Sequence, residues 1–358
     1  MSRNVVRKSG VCRILNLVLA GVVTTATLTF AAKTEVPLFL FSGQSNMVGM
    51  GATVTAEQNK ITNNDIKIYL DAEGDNSLLK KWSAFGPGFG NTKSTFGPEL
   101  YFGKLLSDSM SGKKLAFIKV ARSGTYLGKA TEWLPPSSNG GTGGTYYAAM
   151  MVSIDNALKS FNNAFDTSLY TPKWAGFIWL QGEFDGWKDA DKVYADAYEK
   201  NLTNLIKDIR TKTGAADLPI ILPMIDASSS WKLNATIRSA DVAVKNKLKN
   251  VDTMDTKGLA TDGVHYKTEG MVIIGQRCAQ RWLAMKYLGT VPVIYQEKNI
   301  RSNVSTLRNA SENIAIFDLT GRQIGNSISD VNNRNISSGS LIYNSKIMSN
   351  LNNSNSKR

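Results

Sequence analysis

The chain alternates five short apolar segments with five longer amphipathic ones, and this order limits the folds that it can adopt. The apolar runs are nearly uninterrupted, which is typical of strands covered on both faces. The pattern predicts a three-layer α/β/α sandwich with a central parallel sheet. The predicted strands are 36–42, 114–120, 175–180, 218–225 and 251–255, and the predicted helices are 98–110, 146–162, 190–211, 235–249 and 268–287.

Residues 1–32 have the organisation of a secretory signal peptide. Four basic residues precede an apolar stretch over residues 14–30, and the small residues Ala31 and Ala32 suit a cleavage site. An uncleaved membrane anchor is the alternative, because the stretch is nearly long enough to span a bilayer. We expect a secreted or cell-surface protein that has no membrane association once the signal is removed.

Charge and composition argue against two classes of function. The net charge is +13, but residues 1–31 and residues 297–358 each contribute a net charge of four to it. The rest is spread over the middle of the chain without a basic cluster, so we expect no nucleic-acid partner. One histidine, His265, and two cysteines, Cys12 and Cys278, are too few for a zinc site of Cys and His ligands.

Two long polar insertions and a different C-terminal composition accompany the α/β pattern. Residues 51–96 and 123–145 each leave the end of a predicted strand, so they could wall a substrate cleft or remain plain surface loops. Beyond residue 293, Asn and Ser dominate, and strand-like segments at 314–324 and 340–347 predict a small β-rich tail. The predicted divisions are a signal peptide (1–32), an α/β domain (33–295), and a linker with the tail (296–358).

Polar residues follow the predicted strands where those strands end. The first strand runs through Gly43 into Ser45, which places a hydroxyl directly after a buried segment. Gln181 after the third strand offers an amide, and Gly124 after the second offers a backbone N–H, to a developing oxyanion. An ordinary turn explains the serine equally well when it is considered alone. Because parallel strands end at one sheet edge, these groups are expected to share a cleft.

The single histidine lies just before the last predicted helix. Asp262 can fold back across Gly263 and accept a hydrogen bond from the imidazole of His265. Such a carboxylate orients the ring and stabilises the imidazolium that forms when the ring takes a proton. A surface histidine beside a helix start is the simpler alternative. Combined with Ser45, the pair predicts nucleophilic acyl transfer.

Four carboxylates follow the third strand and could bind a cation. They are Glu183, Asp185, Asp189 and Asp191. An acidic helix N-terminus explains Asp189 and Asp191 without a metal. We therefore expect no metal site.

The polar motifs resemble those of the SGNH-hydrolase superfamily, and more narrowly those of family 6 carbohydrate esterases (acetylxylan esterases) and sialate O-acetylesterases. Four blocks of this group stand here in order, as Gly-Gln-Ser-Asn-Met at 43–47, Gly-Pro-Glu at 97–99, Trp-Leu-Gln-Gly-Glu-Phe-Asp at 179–185 and Asp-Gly-Val-His at 262–265. The resemblance covers about residues 36–288, the segment that would form the esterase domain. It implies a flavodoxin-like SGNH-hydrolase fold.

The resemblance also implies roles for individual residues. Ser45 is the expected nucleophile and His265 the general base. The expected oxyanion-hole donors are the Ser45 N–H, Gly124 and Gln181. The activity needs neither a metal nor an organic cofactor.

Two features of the implied site are less closely defined. The third catalytic acid is either Asp262, which matches the superfamily's Asp-x-x-His, or Glu183 of the Gln-Gly-Glu block. Gln44 and Asn46, which flank the nucleophile, and Trp133 are expected to contact the substrate.

The implied function is that of a secreted carbohydrate O-acetylesterase, a serine-dependent carboxylic ester hydrolase. The expected substrate is acetylated plant polysaccharide, and Trp133, Trp187 and Trp231 could stack on its sugar rings. Sialate O-acetylesterase activity is the first alternative. A non-catalytic carbohydrate-binding or surface protein that keeps the fold is the second.

The C-terminal segment resembles the sorting or attachment tails of secreted bacterial proteins. Asp318, Gly321, Arg322 and Gly339 stand where the pattern of those tails places them. The resemblance implies an interaction with secretion or cell-surface attachment machinery.

Overall fold

The computed structural model describes residues 32–288, apart from residues 74, 75, 111 and 142, together with three short strands between residues 314 and 344. The predicted signal peptide up to residue 31, the linker and the four motif residues of the tail lie outside the described residues. Within the described part, no helix is both long enough and apolar enough to cross a membrane.

A seven-stranded sheet forms the centre of the fold. Its order is β3-β2-β4-β1-β5-β6-β7, and all neighbouring strands run parallel except β3, which is antiparallel to β2. The five predicted strands are all present and parallel. The strands are β1 (Thr34–Gly43), β2 (Asn63–Leu70), β3 (Trp82–Phe85), β4 (Leu115–Ala121), β5 (Tyr170–Leu180), β6 (Ile220–Pro223) and β7 (Val251–Met254).

Helices cover both faces of the sheet, which confirms the predicted three-layer sandwich. All five predicted helices are present, with ends within three residues of the predicted ones. The helices are α1 (Ser45–Val48), α2 (Glu99–Ser109), α3 (Pro136–Asn139), α4 (Thr145–Lys159), α5 (Lys192–Thr213), α6 (Asn234–Lys247) and α7 (Thr268–Leu288). Buried residues of α4, α5 and α6 pack on one face, and those of α2 and α7 pack on the other.

The central strand β1 supplies both cores, which explains why its sequence is apolar throughout. Leu38 and Leu40 join the core under α4, α5 and α6, whereas Phe39 and Phe41 join the core under α2 and α7. The ring of Phe39 meets the ring of Trp282 edge to face, with centroids 5.0 Å apart. Burying each such side chain contributes roughly 1.5–3 kcal/mol, so β1 is anchored firmly on both sides.

Part of the insertion predicted at 51–96 continues the sheet, and the alternative of a plain surface loop is wrong there. It contains β2, which pairs with β4, and β3 at the edge. In β2 the buried Ile66 and Ile68 alternate with the partly exposed Asp65 and Lys67. A strand near the sheet edge shows this period of two instead of an apolar run, because only one of its faces is fully covered.

The order in which the strands are added to the sheet reverses at β1. The strand β4, which is the next of the five predicted strands, lies on one side of β1, and β5 lies on the other. Such a switch point opens a crevice at the carboxyl ends of the strands, where α/β proteins place their ligands. The turn after β1, which carries Ser45, therefore lies where α/β proteins usually place a binding or catalytic site.

The tail contains a second sheet of three antiparallel strands in the order β10-β8-β9. These strands are β8 (Ile314–Phe317), β9 (Gln323–Gly325) and β10 (Leu341–Asn344). The strands β8 and β10 fall within the two predicted segments, and β9 extends one residue beyond the first, so the tail is β-rich as expected.

Candidate active site

The turn that carries Ser45 follows β1 directly and is held against both neighbouring strands. The N–H of Gln44 donates to the carbonyl of Leu180 (3.1 Å), and the carbonyl of Gly43 accepts from the N–H of Arg122 (3.1 Å). Gly43 has a φ of +147°, and a Cβ there would lie 2.0 Å from the Leu180 oxygen, so glycine is required. Ser45 thus begins α1 where the ends of β1, β4 and β5 meet.

The carboxylate of Asp262 orders the turn that carries His265. Its Oδ1 accepts from the N–H groups of Val264 (2.9 Å) and His265 (2.7 Å). Its Oδ2 lies 4.0 Å from the imidazole Nδ1, which is longer than a direct hydrogen bond. Partial burial lowers the pKa of His265, while the Asp262 charge opposes this effect. The imidazole is therefore neutral at neutral pH and able to accept a proton.

The side chain of Asn46 connects α1 to the turn that carries His265. Its Nδ2 donates to Oε1 of Glu183 (2.6 Å) and to the carbonyl of Val264 (3.4 Å). Its Oδ1 accepts from the N–H of Tyr266 (3.0 Å). Because Asn46 is only 2% exposed and its amide is engaged within the protein, the predicted substrate contact is wrong. Asn46 instead holds the start of α1 beside the histidine turn.

Glu183, the partner of Asn46, follows β5 and is fully buried. Burial raises the pKa of Glu183, although the Asn46 hydrogen bond and the neighbouring Gln44 amide oppose the shift. Gln44 is also buried, and its substrate contact stays a prediction. Among the described contacts, Asp262 is the carboxylate beside the imidazole of His265, and Glu183 contacts Asn46 instead.

The amide of Gln181 organises the loop after β4. Its Nε2 donates to the carbonyl of Thr125 (2.9 Å) and to Oδ2 of Asp185 (2.7 Å), so both amide hydrogens are used. An oxyanion donor must keep an N–H aimed at the reacting oxygen, and the role predicted for Gln181 is therefore wrong in this arrangement. Gly124, in the loop that Gln181 holds, has a φ of +68°. The backbone N–H groups of Gly124 and Ser45 stay predicted donors.

Asp185 is a buried anchor that the sequence suggested only as one of four cation ligands. It accepts from the N–H groups of Leu127 and Gly128 (2.8 Å each) as well as from Gln181. Burial raises the pKa of Asp185 to about 6 against the effect of these hydrogen bonds. No group of three or more His, Cys, Asp or Glu side chains within the described part of the chain could hold a metal ion.

The three tryptophans proposed as sugar platforms differ in burial. Trp133 is fully buried, its Nε1 donates to Oγ1 of Thr125 (2.7 Å), and its ring packs against Trp179. Trp231 is also buried. The predicted substrate contact of Trp133 is therefore wrong, because its ring belongs to the core. Trp187 is the exposed one of the three.

Lys119 is a buried residue near the site that sequence reasoning missed. Its Nζ forms an ion pair with Oε2 of Glu99 (2.8 Å) and donates to the carbonyls of Val48 (3.1 Å) and Phe89 (2.7 Å). Glu99 belongs to the Gly-Pro-Glu block, so the pair links that block to the end of α1. The available signal was a single lysine within the otherwise apolar segment 115–121.

Solved structures of carbohydrate esterases share this fold. A probable carbohydrate esterase of Arabidopsis thaliana is 26% identical over 261 residues, which cover 69% of this chain and 90% of that protein. Its crystal structure superimposes with a TM-score of 0.53 at 24% identity, over 71% of this chain and 99% of that one. A carbohydrate acetylesterase from Xanthomonas citri gives a TM-score of 0.52 at 17% identity, over 72% of this chain and 58% of that one. NanS gives 0.51 at 14% identity, over 72% and 99%.

The family assignment comes from the sequence. The family described as "Carbohydrate esterase, sialic acid-specific acetylesterase" matches residues 35–284, which is more than half of the chain. The matched segment includes the described sheet, the Ser45 turn and the His265 turn. The chain therefore belongs to the carbohydrate esterase family of sialic acid-specific acetylesterases.

Proposed function

We propose that this protein is a carbohydrate O-acetylesterase in which Ser45 is the nucleophile and His265 the general base. The observation that carries the proposal is the side chain of Asn46. It bonds to residues on both sides of His265 and lies next to Ser45 in the chain. A serine at the end of a central strand and a neutral histidine in the adjoining turn are the two parts that acyl transfer needs.

The proposed reaction has two steps. His265 accepts the hydroxyl proton as Ser45 Oγ attacks the acetyl carbonyl, and the N–H groups of Ser45 and Gly124 donate to the resulting oxyanion. The imidazolium then returns its proton to the sugar oxygen, which leaves as an alcohol. In the second step, His265 removes a proton from water, which attacks the acetyl-serine. The imidazolium returns this proton to Ser45 Oγ as the acyl bond breaks, and the released acetic acid ionises to acetate.

Asp262 is the proposed third member of the triad. Hydrogen bonds from the backbone of His265 and Val264 lower the pKa of Asp262, so it is ionised beside the ring. Its charge favours the imidazolium that forms during attack. Because the Asp262 side chain is half exposed and 4.0 Å from Nδ1, solvent screens this effect.

The pH dependence of hydrolysis separates Asp262 from Glu183 as the acid. A neutral His265 is required, so kcat/KM falls as the pH decreases through its pKa, which burial places below the ordinary value of 6.5. Asp262→Asn removes the charge that favours protonation, so we expect the acidic limb to move further down and kcat to fall about tenfold to a hundredfold. The measurement is kcat/KM for an aryl acetate between about pH 4 and about pH 9.

Glu183→Gln is the comparison for this measurement. Because Glu183 contacts Asn46, its replacement is expected to lower the rate without moving the acidic limb. If Glu183→Gln moves the limb and Asp262→Asn does not, Glu183 is the acid and the proposed triad is wrong.

Acetylated plant polysaccharide is the substrate that we propose. The proposed signal peptide at 1–32 and the tail at 296–358 would place the enzyme outside the cell or on its surface, where it meets polymeric carbohydrates. The tail would then interact with secretion or attachment machinery. The family description favours the second candidate, acetylated sialic acid.

Release of acetate from two substrates tests the function. The purified protein is offered acetylated xylan and 9-O-acetylated sialic acid at equal ester concentrations. We expect release from xylan at the higher kcat/KM. Preference for the sialic acid would leave the mechanism in place and overturn the proposed substrate. Absence of release from both, together with no labelling by a fluorophosphonate, would favour the non-catalytic carbohydrate-binding alternative.

A further inference from the structure

Trp187 is exposed to solvent next to the candidate active site. It is 42% exposed, which is more than any other aromatic side chain that the structure describes. A large apolar ring in water forgoes the stabilisation that burial would provide. Single exposed apolar residues are nonetheless common, and Trp187 differs from them in its position and in the support of its ring.

The ring of Trp187 is held by other aromatic residues. The ring centroid of Phe184 lies 5.0 Å from that of Trp187, and Phe184 in turn meets Tyr126 at 5.5 Å. The backbone is held as well. The N–H of Trp187 donates to the carbonyl of Phe184 (3.3 Å), and the carbonyl of Trp187 accepts from the backbone N–H of Lys232 (3.2 Å). A pre-positioned ring loses little conformational freedom when a ligand binds to it.

This aromatic group extends outward from the proposed oxyanion hole. A Cβ built on Gly124 would lie 3.5 Å from Cζ of Phe184, so the Phe184 ring borders the loop of the proposed donor. Glu183, immediately before Phe184, bonds to Asn46 beside the proposed nucleophile. Trp187 therefore lies beside the candidate site, one aromatic ring away from the loop that carries Gly124.

We propose that Trp187, supported by Phe184, forms a sugar-binding subsite that stacks on a pyranose ring of the acetylated carbohydrate. The inference rests on the proposed function and adds a determinant of substrate binding to it. The apolar face of a pyranose ring suits an indole, whereas ethyl acetate has no ring that could stack on it. Lys188 Nζ lies over the indole ring, 4.8 Å from its centroid. A pyranose that stacks on this face would displace the flexible ammonium, which would then donate to ring substituents.

Trp187→Ala tests the subsite with two kinds of ester. For acetylated xylo-oligosaccharides we expect kcat/KM to fall about tenfold or more, mainly through KM, since one well-stacked ring contributes about that much. For ethyl acetate, whose leaving group has no ring to stack, we expect a change below about twofold. Trp187→Phe should recover part of the loss, because it keeps an aromatic face. The proposal is overturned if Trp187→Ala lowers kcat/KM equally for both esters. It is also overturned if the variant keeps the wild-type kcat/KM for the oligosaccharide and for 9-O-acetylated sialic acid.

Leu169→Ala is the matched control. Leu169 is an exposed apolar residue whose carbonyl accepts from the N–H of Thr34 at the start of β1. It therefore lies at the amino ends of the strands, opposite the candidate site. Its replacement is expected to leave both kinetic constants unchanged. A loss for Leu169→Ala equal to that for Trp187→Ala would mean that surface apolarity in general matters and would overturn the subsite.

Binding measurements distinguish a failed subsite from a failed function. If the wild-type protein hydrolyses neither carbohydrate esters nor aryl acetates, the proposed function is wrong. The subsite is then tested by calorimetric titration of the wild-type protein and Trp187→Ala with xylo-oligosaccharides and sialic acid. Binding that Trp187→Ala weakens about tenfold supports the subsite. Equal binding by both proteins, or none by the wild type, overturns it.

Discussion

Replacing Ser45 by alanine is expected to lower kcat for acetate release by about 10⁴-fold or more while KM changes little. The hydroxyl forms the acyl-enzyme, and without it only transition-state binding by the remaining groups is left. Ser45 is buried at the start of a short helix, so removal of one oxygen should leave the fold intact. The measurement is kcat and KM for an aryl acetate and an acetylated oligosaccharide, with unfolding midpoints determined in parallel.

Ser42→Ala is the matched control, because the two serines lie in the same segment. Ser42 is fully buried in β1, and within the described residues its Oγ has no hydrogen-bond partner. Its replacement is therefore expected to leave kcat within about twofold. A fluorophosphonate should label the wild type and Ser42→Ala but not Ser45→Ala. Near wild-type turnover by Ser45→Ala would show that the proposed mechanism is wrong.

Replacing Lys119 by methionine is expected to lower the free energy of unfolding by about 3–5 kcal/mol. The substitution leaves the buried carboxylate of Glu99 without its ion-pair partner. It also removes the donor to the carbonyls of Val48 and Phe89. Because Val48 ends α1, the folded variant should also show a lower kcat. The measurement is the urea midpoint at unchanged m-value, together with kcat in the absence of urea.

An exposed ion pair on α2, the helix that begins with Glu99, is the control for this prediction. Lys104 and Asp108 are 2.7 Å apart on α2, and both side chains are exposed, so Lys104→Met is expected to cost no more than about 1 kcal/mol. In the double variant Lys119→Met/Glu99→Leu no charge stays buried, and its stability should exceed that of Lys119→Met alone. If Lys119→Met costs no more than Lys104→Met, the buried pair does not stabilise the fold.

Most of the fold was predictable because its signals are local. The apolar run of β1 and the helical spacing of α5 or α7 report burial through nearest neighbours in the chain. The strand β2 was missed since its alternation of Ile66 and Ile68 with polar residues is a weaker signal than a continuous run. Its place beside β4 also depends on a partner strand about 50 residues away in the sequence.

The candidate site was predictable in position but less so in the role of each side chain. Ser45 and His265 lie on neighbouring turns because parallel strands deliver their ends to one edge. Asn46 and Gln181 were expected to face substrate, yet their amides bond to the protein. A sequence motif gives only the type of residue, and an amide side chain can contact a substrate or bond to the protein equally well.

The layered α/β fold, the family and the points at which strands end in polar residues can all be inferred from the amino-acid sequence alone. These follow from periodicity and motif spacing, which depend on residues close together in the chain. Contacts in the folded protein were needed to show that Trp133 belongs to the core and Trp187 to the surface. They were also needed to show that Asp262 lies beside the imidazole of His265. Burial and hydrogen-bond partners are set by contacts between distant segments, and an isolated motif carries no record of those contacts.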